Sequence, residues 1–85
     1  MCHTLTVIAA DPEVLNFALS LEHLENAFYT GGLAKFSEED FKKAGFPAWV
    51  RGRFVQISEH EAEHVRFLTD VLGDSQAVEP CEYKL

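Results

Sequence analysis

The chain is poor in positive charge: seven lysines and arginines stand against fourteen acids, a net charge of −7. That balance argues against nucleic acid as a partner, because phosphate backbones need a basic surface. It also lacks any apolar run near the ~20 residues of a membrane span, so no membrane partner is expected. The opening MCHTLTVIAADPE has neither a basic start nor a long apolar stretch, which predicts no secretory signal and a cytoplasmic location, or a processed form. Cysteine is scarce. Cys2 and Cys81 lie near opposite ends without a C-x-x-C spacing, so two free thiols are expected, a terminal disulfide being the alternative. Low-complexity stretches and long linkers are missing too.

What remains is a packed helical composition in 85 residues, 47% hydrophobic and 12% aromatic. A single core of that size stabilises a fold only marginally, and oligomerisation or metal often makes up the difference. The few glycines and prolines act as punctuation. Asp11-Pro12-Glu13 reads as a cap, a proline at the first helical position and an acid in the first turn, and Gly31-Gly32 reads as the stop, giving a first helix over about 12–30. Ser37-Glu38-Glu39-Asp40 opens a connector helix over about 37–44, closed by Gly45. Pro47 opens a second long helix over about 47–72, with Trp49 and Phe46 expected to anchor its start and Gly73 to end it. The tail 73–85 is expected to be irregular, and residues 3–10 carry at most a weak strand signal. The fold class predicted is all-α: one half-domain over 1–85, an antiparallel helical hairpin with a connector helix, dimerising into a four-helix bundle.

The chemistry sits in the stripes of these helices. On the first, Val14, Phe17, Leu21, Leu24 and Phe28 make an apolar face expected to be core. Beside it run Leu15, Ala18, Glu22, Glu25 and Tyr29, so two acids stand in an otherwise apolar row. The second long helix repeats the pattern: Val50, Phe54, Ile57, Glu61, then His64 or Val65, Leu68 and Leu72, with an acid at the middle. Burying a carboxylate costs several kcal/mol unless a partner offsets it. Glu59, Glu63 and His23 are expected on a solvated face, and an ordinary polar cluster with Arg53 or Arg66 is the alternative for Glu61 and His64.

Residues 60–64, HEAEH, match the H-E-x-x-H pattern of zinc proteases. That reading needs both histidines on one face, yet His60 shares its row with Arg53, Gln56 and Glu63, and the core-directed pair is Glu61 with His64. E-x-x-H places two ligands on one helical face, so Glu22, Glu61 and His64 form half the ligand set of a two-metal carboxylate site. Glu25 is a further candidate ligand, with a rim acid as its alternative. Tyr29 is expected beside the ligands, its hydroxyl bonded to a carboxylate. A homodimer would supply the other half and bind two metal ions per dimer, and iron, manganese and zinc suit these ligand types alike.

These residues carry a resemblance. LEHLENAFY and EAEHV, with the ending Pro80-Cys81-Glu82-Tyr83, resemble the ferritin-like domain of fungal stress-response and plant desiccation-related proteins, over about residues 11–83. More distantly the chain resembles ferritins and rubrerythrins. The resemblance implies Glu22, Glu61 and His64 as metal ligands, Tyr29 as their neighbour, and an iron-dependent oxidase or ferroxidase activity. It equally accommodates a non-catalytic stress protein with a structural ion or none. Members generally continue through a second helical pair, and many carry secretion signals. The two metal readings separate in one comparison: Glu22→Ala is expected to lose bound metal while His60→Ala keeps most of it, and the reverse result in metal analysis would restore the zinc-protease reading.

Overall fold

The computed structural model describes residues 11–85, with side chains from residue 12 onward. Three helices follow one another: α1 Asp11–Lys35, α2 Glu38–Lys43 and α3 Trp49–Leu72, with no strand among the described residues. The weak strand signal at residues 3–10, Cys2 and the cap assigned to Asp11 lie outside the described parts of the chain.

α1 runs through Gly31-Gly32 instead of stopping there. Neither glycine leaves the helical region, since the positive-φ glycines are Gly45 and Gly73. The extra turn is held from outside by a guanidinium. Arg51 Nη2 donates to the Leu33 carbonyl at 2.9 Å and Nε to the Phe36 carbonyl at 3.2 Å, satisfying acceptors that the helix end leaves free. Ser37 then starts α2 with a capping box: its hydroxyl accepts from the Asp40 amide at 3.2 Å, and the Asp40 carboxylate accepts from the Ser37 amide at 2.9 Å. α2 closes with Gly45 at φ 90°, the Phe46 amide reaching the Phe41 carbonyl at 3.1 Å and the Gly45 amide the Lys42 carbonyl at 3.0 Å. Phe46 packs on Phe41, ring centroids 5.6 Å apart, the apolar contact that accompanies such a turn. α3 begins two residues after Pro47, whose carbonyl accepts from the Val50 amide at 3.1 Å. Trp49 and Phe46 do not anchor this start in the interior; both are more than half exposed.

Leu33 meets Arg51, Tyr29 meets Phe54 and Glu22 meets His64, so positions fall along α1 as they rise along α3. The long helices are therefore antiparallel. Past Gly73 the irregular tail turns back and runs beside α1 in α1's own direction. Asn16 ties it at two points, Nδ2 donating to the Gln76 carbonyl at 2.7 Å and Oδ1 accepting from the Val78 amide at 2.9 Å. Farther along, Cys81, Tyr83 and Leu85 line a cleft with Ala27, Phe28 and Phe36.

The core is small. Leu19 is fully buried and Leu72 nearly so. The stripe Val14, Phe17, Leu21, Leu24 and Phe28, expected as core, is instead 40% to 57% exposed. Among the described residues, two helices and a tail enclose one side of α1 and leave this face largely exposed.

The glycines allow a test of opposite signs. Gly31→Ala adds a Cβ that meets nothing within 4 Å and is expected to raise stability by up to about 1 kcal/mol. Gly73→Ala, at φ 81°, is expected to lower it by about 1 kcal/mol or more. Thermal unfolding measures both, and a lower midpoint for Gly31→Ala would mean that another surface sits against that glycine.

Candidate metal centre

Helical spacing puts Glu22 and Glu25 on adjacent turns of α1, and Glu61 and His64 three residues apart on α3. The antiparallel crossing then brings these two pairs together. His64 Nδ1 lies 3.4 Å from Glu22 Oε1. One donor atom from each of Glu22, Glu61 and His64 falls within 4.8 Å of the others, the spacing that a shared ion requires. The site is lopsided in its exposure: the Glu22 side chain is 21% exposed and the His64 side chain 57%. Oε2 of Glu22 and Oε2 of Glu61 are both shielded from solvent and accept no hydrogen bond. An orphaned carboxylate oxygen of this kind is costly, since it loses water without replacement.

The electrostatics make the same point. The Glu61 carboxyl is raised above the usual carboxylate range, first by a hydrogen bond shared with Glu22 and then by burial. Glu25 is raised as well, first by its hydrogen bond with Glu61. Each shared hydrogen bond needs a proton, because two ionised carboxylates are both acceptors. Ionisation of Glu61 is favoured first by its hydrogen bond with Glu25 and then by His64, and ionisation of Glu25 by His64. The arginines are engaged elsewhere: Arg66 pairs with Glu63, Arg53 Nη1 donates to Gln56 at 3.3 Å, and Arg51 serves the end of α1. An ordinary cluster of Glu61 and His64 with Arg53 or Arg66 is therefore not what forms. Carboxylate oxygens and an imidazole nitrogen with no arginine among them suit a divalent first-row ion.

The remaining candidates are distributed as follows. Glu25 is exposed and joins the group chiefly through Glu61. Tyr29 packs its ring on Phe28 and Phe54, centroids 5.3 Å and 6.0 Å away, and its described contacts are with rings rather than with a carboxylate. His60 is exposed and stands outside the three-residue group, so H-E-x-x-H does not form a two-histidine site. Glu59 and Glu63 are exposed. His23, expected on the same solvated face, is 8% exposed, and its Nε2 donates to the Val78 carbonyl at 3.0 Å. The tail covers that side of α1, a long-range effect that spacing along the helix does not encode. Asn16 and Arg51 were likewise not singled out from sequence, since their partners lie in the tail and at a helix end. Cys81 is disulfide-bonded, which replaces the expectation of a free thiol there.

The profile of a family described as a ferritin-like domain matches residues 10–85. Protein rds1 of Schizosaccharomyces pombe is 32% identical over 74 residues, covering 87% of this chain. The chain spans only 18% of that relative's length. No solved structure matches the chain.

The crowding of acids has a pH signature. A carboxyl whose folded-state pKa is raised stabilises the fold when protonated, and that contribution disappears as pH rises through the raised pKa. Metal-free protein is therefore expected to lose stability as pH climbs from the ordinary carboxylate range through the raised range of Glu61 and Glu25. Glu61→Gln should flatten that slope. Chemical unfolding at a series of pH values in the presence of a chelator measures it, and an unchanged slope in Glu61→Gln would remove Glu61 as the cause.

Proposed function

Because this chain belongs to the ferritin-like domain family, we propose that Glu22, Glu61 and His64 hold a metal ion and that two copies of the hairpin together form a dinuclear centre. The observation that carries this reading is the pair of shielded, unpartnered oxygens on Glu22 and Glu61 beside the His64 imidazole. A cation offsets the burial of both oxygens at once, which a single proton shared between them does only in part.

Each residue has a role fixed by its place. Glu22 and Glu61 offer oxygen from facing helices, and E-x-x-H adds nitrogen one turn along α3. Glu25, whose carboxyl is raised first by its hydrogen bond with Glu61, lies next to the site and is available as an additional oxygen donor. Iron is the metal favoured, with manganese or zinc compatible with the same donors. Iron bound here would supply redox chemistry toward dioxygen or peroxide, the basis of a ferroxidase or small-molecule oxidase activity.

The second copy follows from two features of one chain. Three ligands are half of the set that a carboxylate-bridged pair takes in a helical bundle. The apolar face of α1, from Val14 to Phe28, stands exposed. Packing two such faces about a twofold axis would cover both and bring the two half-sites into one core.

Metal analysis and solution mass decide between these arrangements. The expected result is one metal per chain in a particle of about twice 9.6 kDa. A metal-free monomer after loading with ferrous iron, manganese and zinc in turn would overturn the proposal. Metal bound to a dimer without oxidation of ferrous iron under air would leave a structural ion in place of an oxidase.

A further inference from the structure

The open side of the carboxylate group and the exposed apolar residues of both long helices lie on one side of the hairpin. On α1, Glu25 stands four residues after Leu21 and three before Phe28, so the three share a row. On α3, Phe67 and Val71 follow His64 by three and seven residues, and both are more than half exposed. Glu25 is hydrogen-bonded to Glu61 and feels the charge of His64, which brings the two rows together across the seam. Asn16 and His23, which hold the tail, lie on the other flank of α1. Large apolar side chains from two helices thus surround the half-exposed imidazole of His64.

Such a face is both drawn to a second copy and held from it. Covering its leucine, phenylalanine and valine side chains on two copies at once favours pairing, because apolar area leaves water. The same step carries two half-sites into one core. It doubles the number of shielded Glu22 and Glu61 oxygens that accept no hydrogen bond, and it removes the water that reaches each group on its His64 side. Each chain also brings a net charge of −7 to the contact. Carboxylates that lose water and approach one another oppose association, and a divalent ion at each half-site reverses the sign of that effect.

We infer that the bound cation also controls assembly: the hairpin stays single while the Glu22, Glu61 and His64 group holds no ion and pairs through this two-helix face once the group is filled. The inference rests on the reading of those three residues as ligands, and it adds the regulation of the site they form. Cation and second copy are then linked reciprocally. Whatever factor the ion adds to the association constant, the second copy adds to the affinity for the ion.

Zinc is the probe, because its bound state has no redox chemistry of its own. Sedimentation of the full-length chain in about 0.15 M salt gives the association constant with a chelator, with zinc and with magnesium, and metal analysis of the same samples gives occupancy. The chain is expected near 9.6 kDa in chelator and at twice that mass with zinc, associating at least tenfold more tightly. Magnesium at the same concentration prefers oxygen donors and its own waters, and should leave the chain single. The double variant Glu22→Gln with Glu61→Gln should pair in chelator at least tenfold more tightly than the metal-free parent, since the opposing charge is gone. Phe67→Ser should take up excess zinc and pair at least tenfold more weakly. Equal association in chelator and in zinc, at full zinc occupancy, would overturn the inference and leave a dimeric metal centre in place. No zinc uptake would overturn both, and the metal content tells these failures apart. Pairing driven equally by magnesium, undiminished pairing of Phe67→Ser, or a folded double variant no tighter than the parent in chelator would each overturn the inference. If the double variant does not fold, Glu61→Gln alone takes its place, and unchanged association is then the overturning result.

Discussion

Glu22 on α1 and Glu61 on α3 meet in the seam between the helices, each with one oxygen shielded from water and bonded to nothing. Such a pair repels when ionised and is stable only with something positive between its members, whether a proton or a cation. His64 supplies part of that compensation at 3.4 Å from Glu22. The arginines of the hairpin, committed elsewhere, supply none that the contacts record. Among the described residues the seam is thus arranged around a charge that their recorded contacts do not provide, and the proposed metal ion would supply it.

The surroundings of the pair follow from how little one chain can enclose. Among the described residues two helices bury a single leucine completely, and the tail adds cover over His23. The opposite side, from Val14 to Phe28, stays open, and His64 is more than half exposed beside the carboxylates. In the proposed dimer, an unfinished core and a half-set of ligands would be one geometric fact seen twice. Any surface that covers the apolar face would also lower the local dielectric around Glu22 and Glu61, strengthening their need for a cation.

Much of this was legible along the chain because it depends on neighbours three and four residues apart. Ser37 with Asp40, Gly45 and Gly73 mark helix ends by local hydrogen bonding, and E-x-x-H places Glu61 and His64 on one face. Other features read incorrectly because distant groups decide them. Gly31-Gly32 looked like a stop, but Arg51 from α3 holds the next turn of α1 in place. His23 looked solvated, but Val78 lies 55 positions away and covers it. The Val14–Phe28 stripe has the periodicity of a core face, and periodicity does not say whether anything is there to pack against.

From the sequence alone came the order of helices, the caps that delimit α2, and the placing of acids in rows that are otherwise apolar. These are properties of a few consecutive turns, fixed by hydrogen bonds and side-chain spacing within them. Only the tertiary structure determined that Glu22 faces Glu61 and His64, that Asn16 and His23 bind the returning tail, and that three helices leave an open aromatic groove beside Gly32. Each of those depends on the angle and register at which α1 and α3 cross. That crossing is set by contacts between residues far apart in the chain, which no local pattern encodes.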